Sequence, residues 1–575
     1  MTFLNLNLRS KIYFSVFFIF IFSTFSANAQ TSGWLTDSTA NLIDGLSAKY
    51  KTAQPGDTIF LKAQTRDKLL IRNLKGSPEK PITILNKGGI VNFYTESYYG
   101  ISIINCRYIR LSGQGDSINR YGIQLTKVGT GAGIGVNGMT SDFEIDHVSI
   151  ENCALTGIMA KTDPDCTFAA TRETFTQFNT NIHDNYIANT GNEGMYIGSS
   201  YYSSGVKLTC NAKDTLVMPA ILDNVRIYNN IVKNTGWDGI QVASVPLHCQ
   251  VHHNTVINDS QLGVKNQMSG ILLGGGSKCD CNNNLITDGK GDGIENHGLG
   301  GSKIYNNIIV NAGKDFYPDD KTQLKHGIFV SDVSVLQDSS FVIEFNDIIN
   351  PKSDGIRFQS VKSKNNLIAS NLIVNPGNYD LYQNGNTSFK GKDSYVFVMY
   401  AASDVQLKNN FFTRNIADAG ISTTDYTLLP GSPLINTGYQ LDSTITIDFK
   451  NEARPFGGYY DIGAMEYNAI ENKVSSNSHK KDTVNTTTAV IPKPSLFPNP
   501  VYSKFNLRYM AAGAATHYLR IYTLSGQLIL QKAINVVNAG MQQLEVNTEK
   551  LNSGTYICAV HQGTETPVYT KFIKL

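Results

Sequence analysis

Short apolar runs, each broken by Asn or Gly, recur through the middle of the chain. Four segments, "IHDNYIANTGNEGMYI", "IYNNIVKNTGWDGIQV", "CNNNLITDGKGDGIEN" and "IEFNDIINPKSDGIRF", share one frame. In each, an Asn (185, 230, 284, 346) stands nine residues before a Gly (194, 239, 293, 355) that opens a short strand. Two longer copies run from Asn254 to Gly270 and from Asn307 to Gly327; Asn371 and Asn410 continue the Asn series, and His147 takes that place in an earlier copy. Side chains alternate sides along a strand, so Ile240 and Val242 point into a core and Gln241 points out.

Successive Asn positions differ by 24 (230 to 254), 23 (284 to 307) and 25 (346 to 371) residues. Units of that length, made of short strands and Asn/Gly turns, predict an all-β chain coiled as a parallel β-helix. Each coil lies about 4.8 Å above the last, so equivalent positions form columns. Stacked Asn side chains bond to one another and to turn backbone. A leucine-rich repeat of similar length needs a regular leucine framework, and none is present.

Three columns border the strand that follows the glycine. The outward one reads Met159, Tyr196, Gln241, Leu272, Glu295, Phe329, Arg357. Two residues further on come Lys161, Gly198, Ala243, Gly274, His297, Ser331, Gln359. Just before the glycine stand Glu193, Asp238, Ser269, Asp292, His326, Asp354. Asp before Gly also suits a tight turn, because its side chain caps nearby amides. Insertions at 161–185, 198–230, 258–268 and 311–325 predict loop walls beside this face, carrying Tyr201, Tyr202, Phe316 and Tyr317, with Trp237 at the rim. Cys249 and Cys279, each five residues before a ladder Asn, fall in one column within bridging distance. Cys166 and Cys210, both in insertions, form a second candidate pair.

"PGDTIFLKAQTRDKLLIRNLKGSPEKPITILNKGG" (55–89) resembles the opening coils of secreted right-handed, pectin-lyase-like β-helix proteins that act on polysaccharides. "SPLINTGYQL" and "RPFGGYYDIGAMEY" resemble the segment closing many such helices in Bacteroidetes. Residues 30–470 are thereby expected to form the helix. The Ser-, Thr- and Asn-rich stretch 471–493 is polar and reads as a linker. Beyond it, Pro498-Asn499-Pro500, Leu524-Ser525-Gly526, Leu551 to Tyr556 and the terminal "KFIKL" resemble the sorting domain of type IX secretion cargo. That resemblance implies a small β-sandwich over 494–575 read by the secretion machinery, and a secreted or surface-attached protein.

Charge excludes some partners. The formal net charge is +2 and charged residues make up 17%, which argues against nucleic acid or an anionic membrane. At the N-terminus Arg9 and Lys11, an apolar run to Phe25 and Ala27-Asn28-Ala29 read as a signal peptide over 1–29. No later segment is long and apolar enough to span a bilayer. A monomer is expected.

The pre-glycine column resembles polygalacturonases, inverting pectin hydrolases with acids before this strand, then a His-Gly and an Arg-Ile-Lys. Here Asp238, Asp292, His326 and Arg357 follow that order; Gly291 replaces the first acid of a pair and Gln359 stands where the family has lysine. The resemblance implies a hydrolase with Asp238 and Asp292 as the acid/base pair, Glu193 one coil away and His326 tuning an acid. Two coils span roughly 9.6 Å, at the upper edge of the inverting separation. Arg357, Glu295, His297, Lys161, Tyr196 and Trp237 are the substrate-binding candidates. No cofactor is expected of a hydrolase. A lyase is the alternative: Lys161, His297 and Arg357 then supply base and cation, and Glu295 or Asp292 a calcium ligand. A third reading is a non-catalytic glycan-binding adhesin.

Overall fold

The structure is a computed structural model describing residues 33–36, 41–315, 324–377, 394–439, 444–468 except 457, and most of 495–574. The predicted signal peptide, the linker 471–493, Phe316, Tyr317, Pro498-Asn499-Pro500 and Leu524-Ser525-Gly526 lie outside the described residues. The chain divides into two units, 1–476 and 477–575.

The first unit is a right-handed parallel β-helix with three parallel sheets. Sheet 1 has 13 strands, from Gly33–Thr36 to Val405–Lys408. Sheet 2 has 12, from Thr65–Arg66 to Phe411–Thr413, and sheet 3 has 12, from Leu42–Asp44 to Val396–Val398. Each coil runs through sheets 1, 2 and 3 in turn. Inward residues stack on their equivalents: in sheet 2, Ile187 pairs with Val232, Val232 with Val256, Val256 with Ile286 and Ile286 with Ile309, all nearly or fully buried. Each such side chain contributes about 1.5–3 kcal/mol by leaving water.

The Asn ladder sits at the turn from sheet 1 to sheet 2. Nδ2 of Asn185, Asn230, Asn254, Asn284, Asn307, Asn346 and Asn371 each donates to Oδ1 of the next rung, at 2.9–3.1 Å. The rung before Asn185 is not His147. Val148 occupies it, donating its backbone N–H to Asn185 Oδ1 at 3.0 Å, while His147 faces outward onto Asp146. A second ladder, missed in the sequence, runs at the turn from sheet 2 to sheet 3. There Asn189, Asn234 and Asn258 donate to Asn152, Asn189 and Asn234 at 3.0–3.2 Å. Their φ values of 52–57° explain the residue type, since Asn tolerates the left-handed region.

The glycine column is fixed by crowding between coils. A Cβ on Gly239 would lie 2.5 Å from the Gly270 carbonyl oxygen, and one on Gly293 would lie 2.5 Å from that of Gly327. Disulfides join Cys249 to Cys279 on adjacent strands, with Cα atoms 4.3 Å apart, and Cys166 to Cys210 across the two long insertions. The second insertion contains an antiparallel hairpin, Val206–Cys210 with Lys213–Val217.

The segments expected to close the helix lie along it instead. Leu428, Leu434, Ile462, Ala464 and Met465 cluster with Ile308, Val310, Ile349, Leu372 and Val374 of sheet 2, opposite its inward column. Arg454 is buried there, bonded to Asn306 Oδ1 and the Gly463 carbonyl, with Nε 2.9 Å from Glu466. Nearby Asp347 accepts from Ala464 N–H at 3.1 Å. Burial pushes the Asp347 carboxyl up to about 7, against the pull of that amide and Arg454. The neutral form is favoured on folding, so this stabilisation is complete below the ordinary carboxylate pKa and is lost as pH rises through about 7. Asp347→Asn is expected to flatten the fall in melting temperature from about pH 5 to about pH 8, read by circular dichroism at a series of pH values. A slope equal to wild type would remove Asp347 as a contributor.

The second unit is antiparallel. One sheet pairs Ser495–Phe497, Lys504–Ala511 and Gly540–Asn547; the other orders Leu528–Val536, Ala515–Thr523, Gly554–Gln562 and Val568–Lys574. Phe505, Leu507, Leu519, Ile521, Val560 and Phe572 from both sheets share one core.

Candidate functional site

The strand alternation places the outward column of sheet 3 as the sequence pattern predicts. Met159, Tyr196, Gln241, Leu272, Glu295, Phe329 and Arg357 are consecutive register partners. Outward does not mean exposed, however. Gln241 and Leu272 are buried, and Gln241 Nε2 donates to Ser200 Oγ at 2.6 Å from the neighbouring insertion.

The pre-glycine column is buried throughout, contrary to its expected role in an open cleft. Glu193, Asp238, Asp292 and His326 are each no more than 3% exposed. The insertion 258–268 packs against them rather than standing aside as a wall: Ser260 and Leu262 donate backbone N–H to the carbonyls of Trp237 and Gly236. Asp238 has both carboxylate oxygens buried without a hydrogen-bond partner. Burial pushes its pKa well up, and the neighbouring acids Glu295, Glu193 and Asp259 add to the shift. Asp292 bonds to Lys325 Nζ at 2.8 Å and to the His326 N–H at 2.6 Å. Glu193 accepts from Thr156 Oγ1 at 2.8 Å, and burial raises its pKa. His326 Nδ1 accepts the Asp354 N–H at 3.2 Å, and burial pushes its pKa well down, so its ring is neutral. Glu193, Asp292 and His326 thus knit coil to coil beneath the face, and Asp238 is buried among them without a partner.

The side chains that reach the surface come from the other two columns. Glu295 Oε1 lies 2.7 Å from His297 Nε2, with side chains 14% and 24% exposed. Ser269 Oγ donates to Glu295 Oε2 at 2.7 Å. Burial pushes the Glu295 carboxyl up, but His297, Lys325 and Ser269 outweigh it and hold it below the usual range. Phe329 sets its ring edge-on to His297 at 6.0 Å, and Ser334 Oγ bonds to the His297 carbonyl at 2.6 Å. Two rows on, Arg357 bonds through Nη1 to Asp354 at 3.1 Å and stacks on Phe397 at 4.7 Å. The result is a dyad of acid and imidazole, with a guanidinium about 10 Å along the same face.

Lys161 and Tyr196 belong elsewhere on this face. Lys161 Nζ contacts Asp163 at 3.0 Å and lies over the Tyr196 ring at 4.9 Å, while Tyr196 OH meets Ser200 Oγ at 3.0 Å. A cleft of about 390 Å³ opens beside Lys161, between Met139, Met159, Asp163 and Thr167. Tyr196 is three rows from Glu295, about 14 Å. Trp237 is half-buried under the 258–268 insertion. Tyr202 packs on Gly276 and under Arg172, so it anchors a loop, whereas Tyr201 remains exposed.

Lys325 was missed in the sequence, though its place directly before the His326-Gly327 step could have flagged it. The calcium expected of a lyase finds no open cage at Asp292 and Glu295, since their oxygens are committed to Lys325, His326, His297 and Ser269. Among the described residues, ligand atoms of three such side chains converge within 4.8 Å at Glu144, Asp146 and His183 on sheet 1. Arg110 already fills that position, with Nε 2.9 Å from Glu144 and 2.7 Å from Asp146.

Residues 223–393 match the family model for the right handed beta helix region. Residues 495–574 match that of the secretion system C-terminal sorting domain. The protein carries a type IX sorting signal and is exported. Among the described residues no helix is long and apolar enough to cross a membrane. Similar solved structures include pectate lyase Pel9A, at 13% identity, covering 74% of this chain and 91% of that one with a TM-score of 0.40. An alginate lyase from Paenibacillus shares 14% identity over 53% of this chain and 94% of its own, TM-score 0.33. A PL6 family polysaccharide lyase from Pseudopedobacter saltans shares 14% over 66% and 94%, TM-score 0.29. No curated protein matches the chain.

Proposed function

We propose that this exported β-helix is a polysaccharide-degrading enzyme that binds its substrate along the outward column of sheet 3 and cleaves it by β-elimination at a uronate residue. The observation that carries the reading is the Glu295–His297 dyad, held at 2.7 Å between that column and the next, with the His297 side chain 24% exposed and its Nε2 buried against Glu295. His297 takes the C5 proton, the C4–O4 bond breaks to leave a C4=C5 double bond, and the leaving O4 takes up a proton from solvent. Glu295 holds the imidazole and balances the charge it gains. Arg357, two rows along, holds a carboxylate of the same strand. The acids that a hydrolase would use, Asp238 and Asp292, are buried away from any sugar, which favours elimination over hydrolysis.

The test is digestion of a panel of acidic and neutral polysaccharides, following reducing ends and the ultraviolet absorbance of the unsaturated product together. New reducing ends with matching absorbance are expected on a uronate polymer. Reducing ends without absorbance would return the reading to a hydrolase. Inactivity across the panel would leave the non-catalytic adhesin.

A further inference from the structure

The outer face of sheet 1 carries a feature that the sheet 3 site does not use. Two clefts of about 320 and 880 Å³ lie on it and share Asn179, Asn224 and Arg226, so they form one groove that crosses the coils. Along its floor Arg110, Glu144, Asn181, Arg226, Gln250 and Asp280 are successive register partners. Six rows at about 4.8 Å span about 24 Å, and each step is close to the length of one sugar residue in an extended polysaccharide. We propose that this groove is a second carbohydrate-binding surface that holds an extended acidic polysaccharide strand parallel to the helix axis, with Arg226 gripping a carboxylate; the choice of an acidic glycan rests on the function proposed above, and the site does not.

The charge distribution selects the occupant. Acids bordering the groove already have partners: Asp142 pairs with Arg107 at 3.5 Å, Glu144 with Arg110 at 2.9 Å, Asp223 lies 2.7 Å from His248, and Asp280 accepts the Lys303 backbone N–H at 3.2 Å. Arg226 is exposed and makes no hydrogen bond or ion pair among the described residues, and it stands where the two clefts meet. A free guanidinium presents a planar fork that matches a carboxylate in a way a lysine does not. Asn224 Nδ2 donates to Asn179 Oδ1 at 2.7 Å and Asn179 Nδ2 donates to Asp142, which fixes the groove wall, and exposed Phe178 and Leu247 give apolar surface for ring faces. The floor is stiffened by a stack next to it: His183, Tyr228 and His252 lie ring on ring at 4.6 and 5.0 Å, two residues beyond Asn181, Arg226 and Gln250. Rigid side chains reduce the ordering cost of binding.

Affinity electrophoresis in gels containing polygalacturonate, alginate or xylan tests the proposal, run in the cold on a His297→Ala background so that the polymer persists. That protein is expected to be retarded by at least one acidic polymer and not by neutral xylan. Adding Arg226→Glu should weaken the apparent affinity about tenfold, and Arg226→Lys should fall between. Equal unfolding midpoints for all three proteins exclude a folding artefact. The groove assignment is overturned if neither acidic polymer retards the protein, if Arg226→Glu is retarded as strongly as its background, or if xylan retards it equally. Polymer breakdown by the His297→Ala protein would instead sink the catalytic reading and leave the groove intact, because the Arg226 comparison does not depend on turnover.

Discussion

His297→Ala is expected to lower kcat on the susceptible polymer by about 10²- to 10⁴-fold, the range for loss of a positioned general base. The ring lies against Phe329 and within 2.7 Å of the Glu295 carboxylate, and its side chain is 24% exposed, so truncation removes a reactive group without opening the core. Added imidazole should restore part of the rate, which a merely structural histidine would not allow. Glu295→Gln is expected to reduce kcat by less and to leave KM nearly unchanged, because the carboxylate orients and balances the imidazole rather than holding sugar. The measurement is the initial rate of ultraviolet absorbance increase. A His297→Ala protein within twofold of wild type would sink the assignment.

The second large effect is on stability. Lys325→Met is expected to cost about 3–5 kcal/mol, the usual penalty for stranding one member of a buried ion pair. Lys325 Nζ bonds to Asp292 at 2.8 Å and to the Met268 carbonyl at 3.1 Å, and both side chains are almost wholly buried. Burial already raises the Asp292 carboxyl, and Lys325 pulls it back down. Without the ammonium the folded-state pKa climbs further above the unfolded value, so the deficit grows as pH rises through the carboxylate range. Lys325→Met with Asp292→Asn should recover much of the loss, since no charge is then stranded. Denaturant unfolding followed by tryptophan fluorescence reads this well, because both tryptophans, Trp34 and Trp237, lie in the β-helix unit and none in the sorting unit. Equal midpoints for wild type and Lys325→Met would refute the argument.

The secretion signal and the coil architecture were legible because each rests on local chemistry. Asn185 through Asn410 are spaced so that identical side chains meet, and a stacked amide bonds to a copy of itself wherever the backbone repeats. Crowding at Gly239 and Gly293 leaves no room for another residue. The same columnar logic put Cys249 over Cys279 and ordered Tyr196, Gln241, Glu295 and Arg357 on one face.

What the sequence could not decide is what covers each column. Alternation says which way Asp238 and Gln241 leave the backbone, but not that the 258–268 and 198–205 insertions fold onto them. Loop placement depends on contacts between residues far apart in the chain, and these have no period to read. For that reason the acids expected to be catalytic are buried, Asp292 in an ion pair and Asp238 without a partner, while the partly exposed dyad comes from the neighbouring columns. Val148 took the rung assigned to His147 because a backbone N–H serves the ladder as well as an amide does. The segments expected to cap the helix pack on the apolar outer face of sheet 2. The repeat spacing determined the coil, its columns and its core; only the tertiary structure decided which outward side chains meet water, because burial is set by whatever else the chain lays across them.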